Sequence, residues 1–111
     1  KKDMINRGGE KICSYDVENK LLEMNGVEDA AVVGIPDELY GEVPAALIKL
    51  KKGTVIEEAE IKAFLKSQMA SYKVPQKILF TENIPLTENM KINKRKVRKM
   101  FSEQLEGELN I

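Results

Sequence analysis

The chain has 111 residues, with 18 basic and 18 acidic side chains, no formal net charge and no histidine. That length fits one domain with one modest core, and the balanced charge singles out no polyanionic partner. The lack of histidine excludes Ser–His–Asp and Cys–His nucleophilic catalysis and histidine-bound zinc. Cys13 is the single cysteine, which excludes an internal disulfide and a cysteine metal cluster and fits a reducing, cytoplasmic setting. No apolar run nears the roughly 20 residues that span a bilayer, so no transmembrane segment is expected. The charged opening Lys1-Lys2-Asp3 does not read as a signal peptide, so none is expected in these residues. With no initiator methionine, the chain reads as part of a longer one.

Residues 2–13 read as a tight hairpin, with Gly8-Gly9 permitting the reversal. Ser14 is the expected N-cap of a first helix, on which Val17, Leu21 and Met24 repeat at helical spacing. Asn25-Gly26 stops it. Ala30 to Ile35 and Val43 to Leu50 read as a pair of antiparallel strands around a turn at 36–41. Thr54 and Glu57 match a capping box opening a second helix, whose inner face carries Ile61, Phe64, Leu65 and Met69. Tyr72-Lys73-Val74-Pro75 leads into a third strand, Lys77 to Thr81. Asn93 caps a last helix carrying Val97, Met100 and Phe101, and residues 102–111 read as an acidic, flexible tail. The expected fold is α+β: an N-terminal hairpin and a short, mostly antiparallel three-stranded sheet packed by helices. The domain proper is 1–101.

Three stretches could carry chemistry. Gly8-Gly9, flanked by Arg7 and Lys11, lets a ligand approach the backbone closely. By spacing alone it is equally a plain turn. Lys91 follows the polar loop 85–90 and could stabilise charge on a transferring adenylyl group; by spacing alone it is a solvated lysine. The run Lys91, Lys94, Arg95, Lys96, Arg98 and Lys99 lacks interleaved aromatic residues and reads as a solvated helix face, so no nucleic-acid partner is expected.

Order and spacing together say more. Residues 1–12 (KKDMINRGGEKI), Ala31-Val32-Val33-Gly34-Ile35-Pro36-Asp37 with Gly41-Glu42, Tyr72-Lys73-Val74-Pro75, and Asn83-Ile84-Pro85-Leu86-Thr87 with Lys91-Ile92 resemble four segments of one family. It is the C-terminal domain of the adenylate-forming superfamily of acyl-CoA synthetases, peptide-synthetase adenylation domains and luciferases. The resemblance implies a ligase working in two steps. A carboxylic acid takes AMP from ATP, which comes with Mg2+, and the acyl group then passes to the thiol of CoA or of a carrier's phosphopantetheine. It further implies a domain rotation between the steps, with Lys91 as catalytic residue, Lys2 as hinge, and Gly8, Gly9, Glu10 and Lys11 facing the thiol. No metal-binding residue is implied. ATP, CoA and the acid would bind mainly through an N-terminal domain of the same protein, so the isolated fragment is expected to be inactive. The family has glycine directly before its lysine, where this chain has Met90; a positive φ there would strain methionine and bear on Lys91.

An acid–CoA ligase is the first reading. The second is an aryl-acid–AMP ligase loading a carrier protein in siderophore biosynthesis, because the glycine-loop wording is similar to that of dihydroxybenzoate–AMP ligases. A binding module using the basic segment and a non-catalytic lid are the other readings.

Overall fold

A computed structural model describes residues 3–109. A hairpin opens the chain: β1 (Met4–Arg7) and β2 (Glu10–Cys13) pair antiparallel from Met4↔Cys13 to Arg7↔Glu10. Only two residues remain for the turn. Gly8 (φ 58°) and Gly9 (φ 96°) supply the two positive φ angles that such a turn demands.

α1 (Ser14–Glu23) follows with no intervening loop. The cap expected at Ser14 moves to Cys13, and Ser14 becomes the first helical residue, fully buried. Its hydroxyl instead accepts a hydrogen bond from Lys94 Nζ at 3.4 Å. Val17 and Leu21 are buried as their spacing predicts.

β3 (Val27–Asp37) and β4 (Gly41–Leu50) form a long antiparallel hairpin. Their middles, residues 30–35 and 43–48, are unbroken apolar runs because both of their faces are covered. Ala30, Val32, Ala46 and Ile48 join one core with Val17, Leu21, Ile61 and Leu65. Ala31, Val33, Ala45 and Leu47 join a second core with Val97 and Phe101. The sheet is therefore the middle layer of three. α1 and α2 (Glu58–Gln68) cover one face and α3 (Lys94–Leu109) covers the other.

The expected third strand is β5 (Lys77–Phe80), which lies parallel to β4. The N-terminal hairpin also joins the sheet, through the single pairing Arg7↔Gly41, so the sheet has five strands in the order β2-β1-β4-β3 with β5 also on β4. β3 is an edge strand. Gly34 on β3 is open enough for the Glu42 carboxylate, which accepts the Asn6 N–H at 2.9 Å and ties the hairpin to the long strands. A Cβ at Gly34 would come within 2.7 Å of that carboxylate.

Two helix boundaries differ from the sequence reading. The capping box lies three residues later, between Glu57 and Glu60; Glu60 Oε1 accepts the Glu57 N–H at 3.1 Å. Thr54 instead closes the preceding turn, donating its N–H to Lys51 O at 3.0 Å. α3 starts where expected, with Asn93 Oδ1 accepting the Lys96 N–H at 3.2 Å. It then runs on to Leu109, so residues 102–109 are helical where a tail was expected. Half-buried Leu105, four residues beyond Phe101, continues the inner stripe and accounts for the extra turns.

Glu57→Ala should lower stability by about 1 kcal/mol, while Thr54→Val, which removes only the hydroxyl, should change it by less than about 0.5 kcal/mol. Urea titration of both variants checks this; the reverse ranking would return the cap to Thr54.

Candidate functional site

Lys91 stands on a tight turn whose geometry follows from its hydrogen bonds. Met90 N–H donates to Thr87 O at 2.9 Å, and Thr87 N–H donates to Lys91 O at 2.7 Å. Lys91 N–H donates to Thr87 Oγ1 at 3.2 Å. A Leu86↔Ile92 bridge closes the loop below, and Asn93 N–H donates to Pro85 O at 2.8 Å. This is a three-residue hairpin loop, whose last position must be left-handed. Met90 fills it at φ 64°, the only non-glycine residue with positive φ among those described. The strain foreseen for methionine is therefore present, at a cost of about 1–2 kcal/mol. The bonds around Thr87 hold the turn in place regardless. The Met90 side chain points to water, 74% exposed.

Beside the turn lies a cleft of about 510 Å3, lined by Asp3, Tyr15, Glu18, Lys91, Lys94 and Arg98 among others. Lys91 is exposed at it, and its ammonium has no ion pair or hydrogen bond with a described residue. Lys94 is its opposite. Nζ donates to Asp3 Oδ2 at 3.0 Å, Val32 O at 2.9 Å and Ser14 Oγ at 3.4 Å, and forms an ion pair with Glu18 Oε2 at 2.8 Å. These acceptors use all three protons of an ammonium. Glu18 Oε2 also accepts the Val32 N–H at 2.8 Å, so the ion pair holds both outward-facing groups of one β3 residue. Arg98 Nη2 lies 3.8 Å from Asp3 Oδ1.

Sequence reasoning missed this cluster by counting Lys94 within a solvated basic run. The signal was there: Lys94, Val97 and Phe101 fall on one helical face at i, i+3 and i+7, as do Ser14, Glu18 and Leu21 on α1.

The glycine loop is built differently. Gly8 N–H donates to Tyr40 O at 2.8 Å, and Gly9 N–H donates to Asn6 Oδ1 at 2.9 Å. The Arg7 guanidinium stacks on the Tyr40 ring, 3.8 Å from its centroid, so Arg7 is not a free cation. A Cβ at Gly8 would press on Tyr40 at 3.1 Å, whereas nothing lies within 4 Å of one at Gly9. Gly9 is thus the position where another chain can reach the backbone, with Glu10 and Lys11 exposed beside it.

The structure does not bring the two candidate elements together. Asp3 shares the Lys91 cleft at the start of β1, and the glycine loop lies at the other end. The strand's four residues separate them by roughly 13 Å. Lys2, the expected hinge, lies outside the described residues. No group of three or more His, Cys, Asp or Glu among the described residues could hold a metal. No helix among them is long and apolar enough to cross a membrane.

The chain is thus a three-layer α+β domain with a lysine unpaired among the described residues on a bonded turn and an open glycine loop at the far end of one strand. The family model of the AMP-binding enzyme C-terminal domain matches residues 16–91, and the chain belongs to that family. It is 41% identical over 103 residues to an oxalate–CoA ligase of Arabidopsis thaliana, covering 93% of this chain and 20% of that protein. It is 42% identical over 105 residues to the 2,3-dihydroxybenzoate-AMP ligase of Bacillus subtilis (strain 168), covering 94% and 19%. Among solved structures it resembles apo MatB from Rhodopseudomonas palustris, with a TM-score of 0.86 and 30% identity over 89% of this chain and 20% of that one. The amide bond synthetase McbA from Marinactinospora thermotolerans gives a TM-score of 0.87 and 32% identity, over 90% and 20%. The chain thus spans about one fifth of these relatives.

Met90→Gly should raise stability by about 1 kcal/mol by relieving the left-handed methionine. Chemical denaturation of the two proteins checks it, and an unchanged or lowered midpoint would mean that the turn carries no strain.

Proposed function

We propose that this chain is the C-terminal domain of an ATP-dependent acid–CoA ligase, with Lys91 as a catalytic residue of the adenylation step. One observation carries the proposal: Lys91 is an ammonium unpaired among the described residues, held by a turn that is bonded at Thr87, Pro85 and Ile92. A fixed, unpaired cation needs little reorganisation to meet developing negative charge. In the first step a carboxylate oxygen bonds to the α-phosphorus of ATP and the bond to pyrophosphate breaks, giving acyl-adenylate. Lys91 would neutralise charge on the acid and the α-phosphate. In the second step the thiol sulfur of CoA bonds to the acyl carbon, its proton leaves to solvent, and AMP departs.

The glycine loop would serve the second step, with Gly9 letting the pantetheine arm pass close to the backbone and Glu10 and Lys11 flanking it. Because Lys91 and Gly9 lie at opposite ends of β1, one rigid docking cannot point both at one reaction centre. A rotation about Lys2 between the steps meets that constraint. Asp3 and Glu18 are committed to Lys94, so Mg2+ would be held by the phosphates of ATP and by an N-terminal domain, where it supplies charge neutralisation. The acid, ATP and CoA would sit mainly in that domain, in a cytoplasmic protein, and this chain would form the lid.

A second reading is an aryl-acid–AMP ligase that passes its product to a carrier protein's phosphopantetheine. The similarity to a dihydroxybenzoate-AMP ligase, on a par with that to the oxalate–CoA ligase, supports keeping it.

The test uses the full-length parent. A panel of acids is screened by ATP–pyrophosphate exchange, and CoA or a holo carrier protein is offered to those that respond. Lys91→Ala should cut the exchange rate by about 100-fold or more. Exchange at the parental rate would remove Lys91 from the chemistry, and transfer only to the carrier would select the second reading.

A further inference from the structure

The cleft beside Lys91 holds two carboxylates, Asp3 and Glu18, and three cations, Lys91, Lys94 and Arg98. In a partly buried site a carboxylate attracts a nearby ammonium far more strongly than it does in water. An unoccupied Asp3 or Glu18 would therefore draw Lys91 inward. The structure prevents this by chemistry rather than distance. Lys94 pairs with both carboxylates, at 3.0 and 2.8 Å, and also donates to Val32 O. Arg98 backs it at the second oxygen of Asp3. The remaining acceptor capacity of Glu18 Oε2 goes to the Val32 N–H.

We infer that Lys94 is a positioning residue that keeps the cleft's carboxylates occupied, so that Lys91 stays available to an anionic ligand. The inference rests on the proposed role of Lys91. It also explains why two lysines three residues apart differ so much: the one at the start of α3 is consumed inside the fold, and the one on the turn is left outside.

The first readout does not require activity. The 111-residue chain is treated with an amine-acylating reagent, and labelling at Lys91 is compared by peptide mass spectrometry with labelling at exposed Lys52. Lys94→Gln keeps N–H donors for Val32 O but removes the charge. It should slow labelling at Lys91 by about threefold or more as the freed carboxylates capture that ammonium. Adding Asp3→Asn and Glu18→Gln in the same background should restore the rate. Unchanged labelling in a cooperatively melting Lys94→Gln protein overturns the inference. So does slow labelling that survives the two carboxylate changes, since the turn would then simply have moved.

Should Lys94→Gln not fold, the neutral variant Asp3→Asn/Glu18→Gln/Lys94→Met gives the same comparison. Returning Asp3 or Glu18 to it one at a time should slow Lys91, and a constant rate overturns the inference. In the full-length parent, Lys94→Gln should lower pyrophosphate exchange by about tenfold, with recovery in the triple variant. If Lys91→Ala leaves exchange intact, the function proposed above fails, while the labelling result still decides what Lys94 does.

Discussion

The ammonium of Lys94 is the point on which the domain's parts converge. It comes from the first residue of α3 and bonds to Asp3 ahead of β1, to Glu18 on α1 and to the backbone of β3. Its side chain is 20% exposed and that of Glu18 is 10% exposed, so neither charge is well hydrated and each depends on the other. Removing one partner of such a pair costs about 3–5 kcal/mol, because the other is left buried and unpaired. That is a large share of what a chain of this size can hold in reserve. Hydrophobic packing fills the two cores on either side of the sheet. The polar contact fixes how the helices of the two outer layers stand relative to each other across the sheet edge.

This arrangement also places the candidate site. The turn that carries Lys91 ends three residues before Lys94, so anchoring the start of α3 anchors the turn. The glycine loop is fixed separately, by Tyr40, Asn6 and the Asn6–Glu42 bond that crosses beneath Gly34. Two independently braced elements at the ends of one short strand behave as fixed tools on one handle. Presenting each in turn requires moving the handle as a whole.

Much of the fold was legible in the sequence because its signals are local. The paired glycines, the stripes Val17-Leu21 and Ile61-Leu65, and the apolar runs of β3 and β4 each declare an element within a few residues. The caps were less legible. Ser14 has cap chemistry but is the first helical residue and meets Lys94, 80 positions away, while Thr54 lies in a turn closed on Lys51 and the cap falls to Glu57. The candidate site divides in the same way. Lys91 and the glycine loop stand out by resemblance, and the left-handed position of Met90 follows from where the family places glycine. The tie from Lys94 to Asp3 spans 91 positions, and no local pattern pairs those two residues. What made Lys94 look like surface was its company in a basic run; only its helical phase relative to Val97 and Phe101 set it apart.

The edge of β3 has a consequence of its own. An eleven-residue strand with an apolar middle at the rim of a sheet is a template on which other chains can pair. Here several of the outward backbone groups are blocked. Asp29 Oδ1 accepts the Ala30 N–H at 2.9 Å, the Glu18–Lys94 pair takes both groups of Val32, and Pro36 has no N–H to offer. The charges that organise the cleft thus also occupy the middle of this edge. A chain that lost them would be exposed to self-association along β3 before it lost its helices, so the first sign of damage at this site would be oligomers rather than unfolded monomers.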